Sequence, residues 1–102
     1  MYARLATFRF EVGDRQAFDA ADPQEVLRLL TQQECCRGAW ELAPEGSETE
    51  ATYFSLWDTK EQAEAAGDNA RAGLEELFEK YQVTHTAQPQ ISVLAVMASS
   101  QQ

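Results

Sequence analysis

Histidine is almost absent from this chain, and this limits the chemistry that the protein can support. The one copy, His85, lies in the segment YQVTHTAQPQ, which predicts a solvated loop. A metal centre or catalytic triad built on imidazole needs several side chains that converge on one point. The sequence also contains no phosphate-binding glycine loop, nucleophile elbow or zinc-protease motif. We therefore predict no metal site and no bound cofactor.

Cysteine is equally scarce and poorly spaced for redox or metal chemistry. Cys35 and Cys36 are sequence neighbours, so strain would oppose a bridge between them. They also lack the C-x-x-C spacing of redox and zinc motifs. Two free thiols are typical of a reducing compartment, and we expect a cytoplasmic protein.

Basic residues and long apolar runs are also few. The chain has 8 Lys and Arg against 17 Asp and Glu, a net charge of −9. Like charge repels nucleic acid and anionic lipid, so neither is expected as a partner. The longest apolar run, Ile91 to Ala98, is far shorter than the ~20 residues of a spanning helix. The 102 residues are therefore expected to form one domain, residues 1–102, without a membrane segment.

What the sequence does contain is a clear order of elements. Runs of branched and aromatic residues, bounded by turn residues, predict four strands. Helical spacing of apolar residues predicts two helices, one after Asp22-Pro23 and one from Asp58 to about Tyr81. The predicted strands are Tyr2–Val12, Cys36–Ala43, Thr49–Trp57 and Gln88–Ala98, the last beginning at Pro89.

Local signals predict how the helices begin and where the second one breaks. Asp22 and Asp58 each precede a glutamate by three residues, which is the spacing of a capping box. Gly67 and Gly73 each cost ~1 kcal/mol relative to alanine in a helix interior. We therefore predict a kink or break near the sequence GDN, beside Asn69.

The order β-α-β-β-α-β is the ferredoxin-like pattern of the α+β class. It predicts a four-stranded antiparallel sheet with both helices on one face. The strands, however, are apolar on both sides, and two helices can cover only one. The other side is then either a mixed surface or an apolar patch, and a patch of this size predicts a homodimer packed sheet to sheet. The alternation is clearest in the first strand, with Tyr2, Ala6, Phe8 and Phe10 on one side and Ala3 and Leu5 on the other.

The run CRGAWELAPEGSETEATYFSLWDTKEQAEAAGDNARAGLEEL, from Cys36 to Leu77, resembles the antibiotic-biosynthesis monooxygenase family of dimeric α+β barrel proteins. The likeness consists of a Gly-aromatic second strand, a third strand that ends in SLWDTKEQAEAA, and an Ala-rich second helix. It implies a homodimer whose sheets form a barrel and a small apolar pocket between sheet and helices. Some relatives oxygenate polyketide-type phenols without metal or flavin, and others degrade haem.

The haem-degrading branch of that family is not matched here. Its residues are an asparagine on the first strand, a tryptophan at the end of the third, and a histidine on the following helix. Trp57 matches the tryptophan, but the first strand has no asparagine and the histidine position falls near Ala66. Without an axial imidazole the haem iron has no ligand from this segment.

Cofactor-free oxygenation asks the protein to hold a ring, stabilise an anion and exclude water. Trp57 and Tyr53 project to the same side of the third strand, where they could stack on a ring. Asn69 is a candidate catalytic donor to an oxyanion, and Arg9 or Arg4 could stabilise developing charge. Each has a structural alternative: packing at the strand–helix junction or interface, the helix break, or surface ion pairing.

Two functions remain open from the sequence. One is a cofactor-independent monooxygenase-like protein, an oxidoreductase that acts on or binds a small apolar or phenolic molecule. The alternative is a non-catalytic ligand-binding or structural barrel. An isomerase or cyclase on the same scaffold is a third reading, because one fold hosts many chemistries.

Overall fold

A central strand organises the sheet of this protein. In the computed structural model, which describes residues 1–100, β1 (Tyr2–Val12) pairs with β3 (Glu50–Trp57) on one side. On its other side β1 pairs with β4 (Val83–His85) and β5 (Gln90–Ala95). An outer strand, β2 (Cys36–Leu42), pairs with β3. Every pairing is antiparallel, so the predicted α+β architecture with an antiparallel sheet is confirmed.

Three helices complete the fold: α1 (Arg15–Asp19), α2 (Glu25–Thr31) and α3 (Lys60–Lys80). The short α1 was not predicted, because five residues are too few to show helical spacing. Asp14 caps it by accepting a hydrogen bond from the Ala17 amide at 3.1 Å. Within residues 1–100 no helix is both long and apolar enough to cross a membrane.

The predicted fourth strand is divided in two. β5 begins directly after Pro89, as expected, but ends at Ala95 rather than Ala98. The segment around His85, predicted as a loop, forms β4 and pairs with the far end of β1. Both pieces lie on the same side of β1, so they form one interrupted edge, and the imidazole stays exposed.

The helix caps differ from the prediction. Thr59, not Asp58, caps α3, and its hydroxyl accepts from the Gln62 amide at 3.2 Å. The Asp58 carboxylate instead receives two hydrogen bonds from Arg37 at 2.6 and 2.9 Å, which lower the pKa of Asp58. α2 begins at Glu25 rather than at Pro23, after a turn in which Asp22 accepts from the Gln24 amide at 2.8 Å.

The predicted break in α3 is wrong. The helix runs continuously through the sequence GDN, because both glycines lie where another chain segment approaches closely. A Cβ on Gly67 would lie 2.7 Å from the Arg4 Nη2, and one on Gly73 would lie 2.5 Å from the Leu29 Cδ2. The intrinsic cost of each glycine is therefore offset by tertiary packing.

Small side chains bring the first half of α3 onto the sheet. Ala63, Ala66 and Ala70 are buried at helical spacing and face the strands. Trp57 fills the space beside them and has no exposed surface. Leu30 of α2 closes the same cluster. This half of the interface is thus a compact core.

The sheet face opposite the helices is uncovered. The side chains of Trp40, Leu42, Leu94 and Val96 on this face are between 37% and 56% exposed. The Trp40 ring packs on Phe54 with centroids 5.4 Å apart. We call this surface the open face. It is the apolar side that strand alternation predicts.

The contact between Gly73 and Leu29 predicts the effect of adding one methyl group. Gly73→Ala gains ~1 kcal/mol of helix propensity. Overpacking against Leu29 costs about 1–3 kcal/mol, so we expect a net loss of about 1 kcal/mol in urea denaturation. In a double-mutant cycle, Gly73→Ala made in a Leu29→Ala background should avoid this clash and stabilise the protein by ~1 kcal/mol. A stabilised Gly73→Ala variant would contradict this packing.

Candidate functional site

A cavity of about 370 Å³ lies between the sheet and the helices, and we call it the main cavity. Its size falls within the 300–1,000 Å³ typical of small-molecule sites. The second half of α3 forms one wall, because its inward residues are large where those of the first half are small. The lining residues are Phe10, Phe18, Asp19, Ala21, Asp22, Pro23, Glu25, Val26, Glu41, Tyr53, Leu77, Phe78, Tyr81 and Val83.

Aromatic rings dominate the walls of the main cavity. Phe18 of α1 contacts Phe10 at a centroid distance of 6.2 Å and meets Tyr81 edge to face at 5.9 Å. Phe78 and Tyr53 approach from α3 and β3, and both contact the ring of Phe8. Edge-to-face contacts of this kind hold the rings in fixed orientations. The walls suit a flat apolar or aromatic guest.

The polar atoms of the main cavity come from two tyrosine–carboxylate pairs. The Tyr53 hydroxyl donates to the Glu41 Oε1 at 3.3 Å, and the Tyr81 hydroxyl donates to the Glu25 Oε2 at 3.0 Å. Burial raises the pKa of Tyr53, and the charge of Glu41 raises it further. The phenol of Tyr53 therefore stays protonated at neutral pH and acts as a donor rather than a base.

A second, smaller cavity of about 20 Å³ adjoins the main cavity, and we call this the inner cavity. It shares Tyr53 and Val26 with the main cavity, so the two spaces adjoin at these side chains. Arg4 provides its one charged group, and burial lowers the pKa of that guanidinium. The other walls are Phe8, Leu29, Leu30, Gly67, Ala70 and Leu74.

Of the five candidate residues named from the sequence, Tyr53 and Arg4 line these cavities. Trp57 lines neither, and its indole Nε1 donates to the Ser55 Oγ at 2.8 Å within the core. Asn69 is exposed on α3. Arg9 lies on the open face in an ion pair with Glu50 at 2.9 Å. The structure therefore brings Arg4, and not Arg9, to the helix side of the sheet.

The described part of the chain offers neither a group of metal ligands nor a reactive thiol. Residues 1–100 contain no group of three His, Cys, Asp or Glu side chains placed to hold a metal ion. Cys35 and Cys36 are free thiols, and burial raises the pKa of Cys36. A thiol with a raised pKa is a poor nucleophile, and Cys36 packs against the core instead.

Glu41 was missed by sequence reasoning because of a register shift. Plain alternation from Cys36 would put Trp40 on the helix side of β2 and Glu41 on the other. A bulge between Cys36 and Gly38 reverses this, so Glu41 pairs with Tyr53 on the helix side. In the sequence, only Gly38 indicates a possible bulge, and a glycine alone does not show which way the register shifts.

Solved structures share this fold at low sequence identity. A Nitrosomonas europaea protein provisionally assigned as an antibiotic biosynthesis monooxygenase superposes with a TM-score of 0.70 at 10% identity, over 96% of this chain and all (100%) of that one. A second protein from that organism, of unknown function, gives 0.70 at 12% identity, covering 99% and 93%. An uncharacterised NIPSNAP domain protein from Burkholderia xenovorans gives 0.59 at 16% identity, covering 100% of both chains.

At these identities the likeness concerns the fold alone. The sequence matches no protein-family model and no curated protein.

The raised pKa of Tyr53 predicts a specific response of stability to alkaline pH. Its contribution is fully present below the ordinary tyrosine pKa of 10.0 and is lost as pH rises through the higher value of the folded state. Between about pH 9 and about pH 11, Tyr53→Phe should therefore lose less free energy of unfolding than the wild type. Urea denaturation across this range measures the difference.

The matched control is Phe54→Leu, which changes an aromatic side chain on the open face and no titrating group. It should lose stability in parallel with the wild type over the same range. Parallel curves for Tyr53→Phe and the wild type would contradict the buried environment assigned to Tyr53.

Proposed function

We propose that the protein binds a small apolar or phenolic molecule in the main cavity and acts as a cofactor-independent, monooxygenase-like oxidoreductase. The observation that carries this proposal is the cavity itself, about 370 Å³ in volume and walled by five aromatic side chains. The names of several solved structures with this fold support the reaction class. On this proposal the chain is a distant member of the antibiotic-biosynthesis monooxygenase group.

The cavity walls favour an aromatic guest over a flexible aliphatic one. Rings fixed by edge-to-face contacts offer flat surfaces and preorganised edges, so a planar guest loses little freedom on binding. The carboxylates of Glu41 and Glu25 are acceptors at the cavity wall. They suit a guest that brings hydroxyl donors, which describes a phenol.

The oxygenation chemistry needs an electron-rich ring, dioxygen and a dry site. A phenol that has lost its proton can pass an electron to dioxygen without help from a metal or flavin. The protein must then hold the ring, place charge near the anion and keep water out. Tyr53 and Phe78 would hold the ring, and the buried Arg4 supplies positive charge deeper in the fold.

A non-catalytic ligand-binding barrel is the second candidate, and one observation favours it. Asn69, the candidate catalytic donor, is exposed on α3 and does not line either cavity. Trp57 donates its hydrogen bond to Ser55 within the core. A pocket without these two groups retains the means to bind a ring, while the chemistry depends on the remaining polar side chains.

Ligand binding can be tested by filling the cavity from one wall. Val26→Phe places a ring where the two cavities adjoin. We expect this variant to lose at least tenfold in affinity for naphthol or anthrone, about 1.4 kcal/mol. Titration calorimetry measures the loss. Leu27→Phe is the matched control on the same helix, because Leu27 lines neither cavity. Equal affinity of the two variants would contradict binding in the main cavity.

Oxygen uptake separates the two functions. With anthrone or naphthol and a metal chelator present, the wild type should consume dioxygen and Val26→Phe should not. Binding by calorimetry without oxygen uptake would assign the non-catalytic role. No binding of any aromatic compound would remove the proposed function altogether.

We also propose that the open face is the interface of a homodimer. The chain carries a net charge of −9, yet the Glu50 carboxylate on this face is neutralised by Arg9. A second copy brings the same apolar surface, and the Arg9–Glu50 pair adds no net charge to it, so two open faces can approach there without strong repulsion. Apolar burial between them would supply the association energy.

One strand provides both the test of the dimer and its control. Leu94 and Ile91 of β5 are 56% and 53% exposed, but Leu94 lies on the open face and Ile91 on the helix side. We expect Leu94→Lys to give a monomer in light scattering at micromolar concentration. Ile91→Lys should keep the dimer mass. A monomeric wild type, or equal masses for the two variants, would contradict the interface.

A further inference from the structure

Arg4 is the most unusual charged residue of this protein. Its side chain is only 5% exposed, and it lies between β1 and α3. The Nη2 atom approaches α3 so closely that a Cβ at Gly67 would lie 2.7 Å away. A side chain at this position of α3 would therefore have to displace the end of the Arg4 guanidinium.

Within residues 1–100, Arg4 has no carboxylate close enough to form an ion pair. Its Nε is the one buried side-chain nitrogen or oxygen of residues 1–100 that has no hydrogen-bond partner. Asp68 acts on it through space only, and the Asp68 carboxylate is held by Arg71. By contrast, each of the other arginines forms an ion pair: Arg9, Arg15, Arg28, Arg37 and Arg71.

An unpaired buried cation is costly, so its position calls for a partner of opposite charge. Desolvation of a charged group costs several kcal/mol unless the group is paired and hydrogen-bonded. The chain has 17 aspartate and glutamate side chains that could have paired with Arg4, but none of them lies against its guanidinium. Arg4 faces the inner cavity instead, whose other walls are apolar side chains and glycine, apart from Tyr53.

The dimensions of the two cavities limit what the partner can be. The inner cavity, about 20 Å³, has room for one water-sized group, so a single oxygen atom fits it better than a whole carboxylate or phosphate. The main cavity has room for rings and lies just across Tyr53 and Val26. A single charged oxygen joined to an aromatic ring fits both spaces.

We propose that the inner cavity is an oxyanion subsite, in which Arg4 binds the phenolate oxygen of a guest whose ring occupies the main cavity. The inference rests on the proposed function and names its ligand as the ionised form of a phenol. On binding, the phenol O–H bond breaks and the proton leaves to solvent. No other bond changes, and no electron is transferred in this step. The charge on Arg4 is then balanced by the guest.

The test uses para-nitrophenol, because its phenolate absorbs visible light and its protonation can be read directly. Bound to the wild type, the apparent pKa of the nitrophenol should fall by about one unit or more, a tenfold preference for the phenolate. Arg4→Met should abolish this fall. The variant is expected to fold, because removing an unpaired buried charge in favour of an apolar chain is tolerated.

Two controls keep the outcome specific. Arg9→Met removes an arginine from the same strand on the opposite face, and it should leave the fall in pKa intact. The methyl ether, para-nitroanisole, fills the main cavity without an ionisable oxygen, so the wild type and Arg4→Met should bind it equally well.

The possible results separate this inference from the proposed function. If nitroanisole binds and the pKa of bound nitrophenol is unchanged, the oxyanion subsite is wrong while the aromatic site stands. If neither compound binds, the aromatic site itself is wrong. If chloride alone raises the melting temperature of the wild type, but not of Arg4→Met, as much as nitrophenol does, the subsite belongs to an inorganic anion and the inference is overturned.

Discussion

The close approach of α3 to the sheet is the constraint on which the rest of this structure depends. Ala63, Ala66 and Ala70 let the first half of the helix lie on the strands, and Trp57 fills the space that remains. In the second half, large residues such as Phe78 line the main cavity instead. One continuous helix thus covers a closed core at one end and the main cavity at the other. Side chains beside the first half of α3 pack closely, whereas those beside the second half leave room for a guest.

The polar groups are distributed unevenly along this space, and the distribution has chemical consequences. Carboxylates of Glu41 and Glu25 line the main cavity, while the guanidinium of Arg4 lies in the inner one. Tyr53 stands between them as a neutral donor, because burial and the charge of Glu41 raise its pKa. A guest that spans both spaces therefore meets acceptors on one side and a cation on the other. On the proposed function, such an arrangement would orient a phenol by charge as well as by shape.

The two faces of the sheet serve different purposes. The helix side contains the cavities and the compact core, whereas the open face combines exposed apolar side chains with the ion pair of Arg9 and Glu50. The open face is apolar although the chain has 17 acidic residues, because most of those residues lie on helices and loops rather than on strands. In the proposed homodimer, burial of the open face against a second copy would leave the helix side of each sheet, and hence each cavity, unobstructed.

The sequence by itself determined the element order, the antiparallel sheet with helices on one face, and the apolar character of both sheet faces. These follow from local periodicity, which neighbouring residues carry. Only the tertiary structure shows that α3 is unbroken. Gly67 packs against Arg4 and Gly73 against Leu29, and both partners are distant in the chain. The tertiary structure also placed Glu41 beside Tyr53, through a bulge whose register is set by pairing with β3. The periodicity of the sequence predicts the strands and helices of the scaffold. The position of a site residue depends on long-range contacts, and only packing brings Arg4 to the inner cavity.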